Sequence, residues 1–87
     1  MAKVSLVGVD TAGGVITGPG KPNWTWGGIP ISVVGDGVAG HGVGAHAGPA
    51  IVTGSPWMTI DGIPVTRQGS LANCTHDATG SAPMDIP

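Results

Sequence analysis

The sequence predicts an all-β fold assembled from short, repeated β-hairpins. Three observations carry this reading. Asp61-Gly62 and Gly27-Gly28 each separate two strand-like apolar runs. A two-residue type I′ turn needs φ > 0 at both central positions, which Asp-Gly and Gly-Gly supply. The chain also matches itself without a gap at an offset of 34 residues: Gly14 falls on Gly48, Gly20 on Gly54, Pro22 on Pro56, Thr25 on Thr59, Gly28-Ile29-Pro30 on Gly62-Ile63-Pro64 and Gly35 on Gly69. Finally, no stretch keeps a helical period for ten residues without Gly or Pro interrupting it.

Taken in order, Ala2 to Val9 reads as an N-terminal strand. Two copies of one supersecondary unit follow, at roughly residues 14–47 and 48–81, within a single domain spanning residues 1–87. In the first copy, Asn23-Trp24-Thr25-Trp26 leads through Gly27-Gly28 into Ile29-Pro30-Ile31-Ser32-Val33-Val34. In the second, Trp57-Met58-Thr59-Ile60 leads through Asp61-Gly62 into Ile63-Pro64-Val65-Thr66. Pro30 and Pro64 each remove a ladder donor at equivalent places, so each return strand presents an edge there. Alternation puts Trp24 and Trp26 on one face, and likewise Met58 and Ile60. Such a face is core, or in part a surface for a partner. The tail, Gly80 to Pro87, is short and bounded by proline. Asp10, Asp36, Asp61 and Asp85 are scattered and mostly beside Gly or Pro, and read as turn residues.

Composition makes this fold hard to hold together. The chain has 87 residues, enough for one domain with a modest core. It has no Phe and no Tyr, three Trp, 17 Gly and 8 Pro. Only 9% of residues are charged while 40% are hydrophobic, which argues against a solvated coil. Small domains with thin cores need a staple, and a single cysteine cannot form an internal disulfide. With net charge −2 and only Lys3, Lys21 and Arg67 as strong cations, the chain is not expected to bind nucleic acid. No apolar run approaches the ~18 residues of a membrane-spanning helix, and the run Val4 to Val9 is too short for a signal-peptide core. A reducing cytoplasm is expected, where a cysteine serves more often as a ligand than in a disulfide.

The staple is legible in two Gly-rich stretches. Gly40-His41-Gly42-Val43-Gly44-Ala45-His46 and Asn73-Cys74-Thr75-His76 hold all three histidines and the one cysteine. At the 34-residue offset Cys74 falls on Gly40, next to His41, so both stretches follow the return strands of equivalent hairpins. Hairpins packed side by side would bring the two loops to one end of the molecule. His41, His46, Cys74 and His76 then form a complete tetrahedral set for one Zn2+. Four protein ligands leave no place for a reactive water, so the site is structural. Iron is a weaker fit that the ligand types leave open. The alternative is solvated loop histidines beside a small buried cysteine. A nucleophilic arrangement of Cys74, His76 and Asp77 crowds three groups into four residues, which gives poor mutual geometry.

These residues resemble the PAAR-repeat proteins. The pattern Gly54-Ser55-Pro56, Ile60, Gly62, Pro64, Gly69 and then a Cys/His loop carries the likeness, from roughly Gly14 to Gly80. Pro64-Val65-Thr66-Arg67 stands where that family has Pro-Ala-Ala-Arg, Pro30-Ile31-Ser32-Val33 holds the same place in the first copy, and Gly35-Asp36 matches the Gly-Asp that often follows. Only the second copy keeps the arginine, and a third repeat is truncated. The resemblance implies a small conical β domain with one zinc near its apex, held by His and Cys. It implies that the broad base sits on a trimeric β-helical spike: the VgrG-type trimer of a type VI secretion system, or the tail spike of a contractile phage. It further implies a tip that helps cross a target envelope, is cytoplasmic until firing, and in some relatives carries or recruits toxic effectors. At this length no fused effector is expected, and no enzymatic activity is expected. A metal-stapled interaction module unrelated to secretion is the competing reading.

Overall fold

The computed structural model describes residues 2–42, 44, 47–82, 85 and 86. These residues form nine short strands and no α-helix. They are β1 (Ala2–Lys3), β2 (Thr11–Ala12), β3 (Gly14–Gly18), β4 (Lys21–Trp26), β5 (Ile29–Ile31), β6 (Gly37–Val38), β7 (Thr59–Ile60), β8 (Ile63–Pro64) and β9 (Asp85–Ile86). The two hairpins expected from turn chemistry are β4–β5 and β7–β8. Their central residues hold positive φ: 59° and 83° at Gly27 and Gly28, 54° and 79° at Asp61 and Gly62.

The organising feature is a triangle of backbone hydrogen bonds. Ser5 N–H donates to the Thr66 carbonyl (3.0 Å), Thr66 N–H to Ser32 (2.9 Å) and Ser32 N–H back to Ser5 (3.0 Å). A second triplet surrounds it: Val7 to Pro30 (3.0 Å), Val34 to Pro64 (2.9 Å) and Gln68 to Lys3 (2.8 Å). A third joins Gly8 to Ile16 (2.8 Å), Gly35 to Ile51 (2.9 Å) and Gly69 to Ala78 (2.9 Å). The segments Lys3–Ser5–Gly8, Pro30–Ser32–Gly35 and Pro64–Thr66–Gly69 are therefore related by a pseudo-threefold axis. The prolines fit because their carbonyls, which need no N–H, make the cross-segment bonds.

The third side of the triangle comes from the N-terminal segment. β1 pairs with β9 in the register Ala2↔Ile86 and Lys3↔Asp85. The other hairpins show the same register, Ile29↔Trp26 with Pro30↔Thr25, and Ile63↔Ile60 with Pro64↔Thr59. A third hairpin is thus built from the two ends of the chain. The tail, read from sequence only as short and Pro-bounded, contributes this strand, and Asp85 lies in it instead of in a turn.

Alternation along the triangle separates two apolar clusters. Val4, Leu6, Ile31, Val33 and Val65 point to one side, where they pack with Ile60, Ala82 and Ile86. Val7 and Val34 point to the other, against Ala12, Ile16, Val38, Ile51, Ala72, Cys74 and Ala78. Ser5, Ser32 and Thr66 lie fully buried between them. The molecule measures 32 × 23 × 22 Å along its principal axes, with the two shorter extents nearly equal, as a body built around one axis should be.

Candidate metal centre

Residues from three elements meet on the side of the second cluster. His41 follows β6, Cys74 and His76 lie in the loop beyond the β8 segment, and Gly13 forms the one-residue tip between β2 and β3. His41 Nε2 lies 2.8 Å from His76 Nδ1. Cys74 Sγ lies 3.7 Å from the first nitrogen and 3.6 Å from the second. The imidazole rings are tilted by 42° with centroids 4.7 Å apart. Cys74 is buried, His41 half-buried and His76 exposed.

This triangle suits a metal ion. Bonds of ~2.0–2.1 Å to nitrogen and ~2.3 Å to sulfur at tetrahedral angles put donors about 3.3–3.6 Å apart. The two nitrogen–sulfur edges match, and the nitrogen–nitrogen edge is tighter. The proton on His41 is placed by its neighbour: Nδ1 lies 3.1 Å from the Ala39 carbonyl, which can only accept. Nε2 therefore turns its lone pair toward Cys74 and His76. A ligating histidine held through its second nitrogen by a carbonyl is the usual way of fixing ring orientation.

Local backbone delivers the second loop. Ala72 N–H donates to the His76 carbonyl (3.1 Å) and Thr75 N–H to the Ala72 carbonyl (2.9 Å), closing a tight turn around Cys74. Thr75 sits at φ 71°, which is strained for a β-branched residue. Its hydroxyl donates to the Cys74 carbonyl (2.5 Å). Asn73 ties the turn to the neighbouring segment: its N–H donates to the Ala50 carbonyl (2.9 Å) and its side-chain oxygen accepts from Ala50 N–H (3.2 Å).

Of the four ligands expected from sequence, His41, Cys74 and His76 are brought together, and His46 lies outside the described residues. Of the Cys74-His76-Asp77 arrangement, the structure brings Cys74 and His76 into contact, in a group that also includes His41. His76 Nδ1 is engaged with His41 and Cys74, and Asp77 takes part through its backbone, paired with Leu71. Sequence reasoning missed Gly13 and the Ala39 carbonyl. Neither offers a side chain that signals a metal, and their proximity is a product of the fold.

The PAAR-motif family model matches residues 9–75, which covers most of the chain. The chain belongs to the PAAR-motif family. The match takes in His41, His46, Cys74 and Gly13, while His76 lies one residue beyond it. No curated protein matches the chain. Membership supports a spike-tip role in a contractile injection system, a structural task, and fits a metal-holding His-Cys-His group.

Proposed function

We propose that this PAAR protein caps the trimeric β-helical spike of a type VI secretion system, the VgrG-type trimer. One copy sits on the threefold axis and sharpens the tip that crosses a target envelope. The closed triangle through Ser5, Ser32 and Thr66 carries the proposal. A single chain can meet three identical subunits evenly only if it offers three near-equivalent faces, and this triangle supplies them.

The end that meets the spike lies away from the metal group. Trp26 stands opposite Ile29, which packs on the first cluster, so Trp26 faces that end. Trp24 and Trp26 stand where the second hairpin has Met58 and Ile60. Ile60 is buried, yet Trp24 and Trp26 are 53% and 43% exposed. Large aromatics left half-uncovered are the usual anchors of a protein interface. The opposite end is the leading point. There His41, Cys74 and His76, with His46 as the fourth ligand, would hold one zinc. Bound zinc crosslinks the two loops and adds on the order of 10 kcal/mol to folding. The protein waits in the cytoplasm until firing and then travels with the tip, with secreted effectors as further passengers.

The test is co-purification with a candidate VgrG-type trimer. One cap per three spike chains is expected. Trp24→Ser combined with Trp26→Ser should weaken the complex at least tenfold without changing metal content. A wild-type protein that never associates with the trimer under these conditions would contradict the assignment.

A further inference from the structure

Gly13 reaches the metal group from an element that supplies no ligand. The β2–β3 hairpin turns through this one residue, with Ala12 paired to Gly14 on either side. Its φ is +87°. A Cβ built on Gly13 would fall against His76 Nδ1, and 2.6 Å from His41 Nε2 and 2.8 Å from His41 Cε1. All three contacts lie well inside van der Waals distance, so the methyl group and the two rings cannot keep these positions together. The space that a methyl group would take is therefore the space in which the two imidazole nitrogens converge.

We infer that Gly13 is the residue that admits the ion: its missing side chain is what allows His41 and His76 to share one metal, and any L side chain there excludes it. The inference rests on the metal reading of His41, Cys74 and His76, and it assigns a determinant that is not itself a ligand. The surroundings leave a methyl group little room to escape. His41 is held from behind by the Ala39 carbonyl at 3.1 Å. His76 is tied through its backbone carbonyl to Ala72. The next residue is equally confined, since a Cβ on Gly14 would meet the Ala39 carbonyl oxygen and come within 3.2 Å of His41 Nδ1. The hairpin is also fixed on that side, because Ala39 N–H donates to the Val15 carbonyl (2.7 Å). Gly13 is a positioning residue, and its effect should appear in metal affinity more strongly than in fold.

The experiment titrates Zn2+ against a chromophoric chelator, and Co2+ with its thiolate charge-transfer band, into four metal-stripped proteins. They are the wild type, Gly13→Ala, Gly35→Ala and a chemically assembled chain with D-alanine at position 13. Gly35 has φ +97° and nothing within 4 Å of a built Cβ, so Gly35→Ala imposes a comparable backbone penalty without the contact. D-alanine accepts positive φ and turns its methyl group to the other side of the chain. Gly13→Ala should lose at least tenfold in Zn2+ affinity and its Co2+–thiolate band. Gly35→Ala and the D-alanine chain should stay within threefold of wild type. If Gly13→Ala does not fold, the D-alanine chain decides: retention of the metal supports the inference and loss overturns it. Zn2+ affinity of Gly13→Ala equal to wild type overturns it while leaving the metal reading intact. A wild-type chain that takes up neither ion overturns both.

Discussion

Ser32 and Thr66, 34 residues apart, meet hydroxyl to hydroxyl at 3.1 Å in the fully buried layer between the two apolar clusters. Their backbones are joined as well, Thr66 N–H to the Ser32 carbonyl. The repeat thus meets itself at its own equivalent position. Removing one hydroxyl leaves the other buried without this partner, at a cost of about 1–3 kcal/mol. Ser32→Ala and Thr66→Val should each destabilise by that amount in urea unfolding. The double variant should fall well short of the sum, because a matched apolar pair strands no polar group. Additive losses would show that the contact contributes nothing.

Asp10 fastens the C-terminal region to the N-terminal turn. Its carboxylate accepts from Leu6 N–H (2.7 Å), the Thr79 hydroxyl (2.9 Å) and the Ser81 hydroxyl (2.8 Å). Asp36 holds the next turn alike, accepting from Val33 N–H (3.0 Å) and Gly20 N–H (3.1 Å). In the third turn, Ser70 takes over by accepting from Arg67 N–H (3.0 Å). Asp10→Ala should cost more than about 2 kcal/mol, since it strands the buried Leu6 N–H and releases the Thr79 and Ser81 hydroxyls from a charged acceptor, and it should speed proteolysis beyond Thr79. Ser70→Ala strands one donor, so its smaller loss in the same denaturation series is the comparison to make. Equal losses would count against the reading.

The broken third hairpin gives a third expectation. Trp26 reaches Ile29, and Ile60 reaches Ile63, through two turn residues. Ile86 and Ala2 are paired in the same register. A backbone-cyclised chain in which Asp-Gly replaces Pro87 and Met1, so that Ile86 joins Ala2 through that turn, should fold. Its Tm should rise by several degrees through the lost chain entropy of the unfolded state. A lowered Tm in calorimetry would argue that β1 and β9 do not form this hairpin.

How far the sequence discloses all this depends on how local each cause is. The β4–β5 and β7–β8 hairpins are legible because Gly27-Gly28 and Asp61-Gly62 carry their own backbone requirement. The ligand loops are legible because His and Cys are scarce here and cluster. The third sector is not. Lys3 has replaced the proline of its counterparts, and its pairing strand, Asp85–Ile86, lies at the opposite end of the sequence. A comparison of Ser5-Leu6-Val7-Gly8-Val9-Asp10 with Ser32-Val33-Val34-Gly35-Asp36, allowing one inserted residue, is the signal that would have exposed it. Alternation in the sequence assigns Trp24 and Trp26 to one face, but their exposure depends on what the rest of the chain covers. Gly13 gives no local sign at all, since its role exists only once β2–β3 folds over His41 and His76.

The central claim is that one ion, gripped by both loops, stiffens this glycine-rich chain into a point. Elemental analysis of the purified protein and of Cys74→Ala, each paired with a melt with and without chelator, tests it most directly. The account predicts one zinc per wild-type chain, less than a tenth of that in Cys74→Ala, and a Tm lowered by more than about 10 °C when the ion or Cys74 is removed. A wild-type protein that contains no metal and melts identically in chelator would contradict it, as would a Cys74→Ala protein with its metal complement intact.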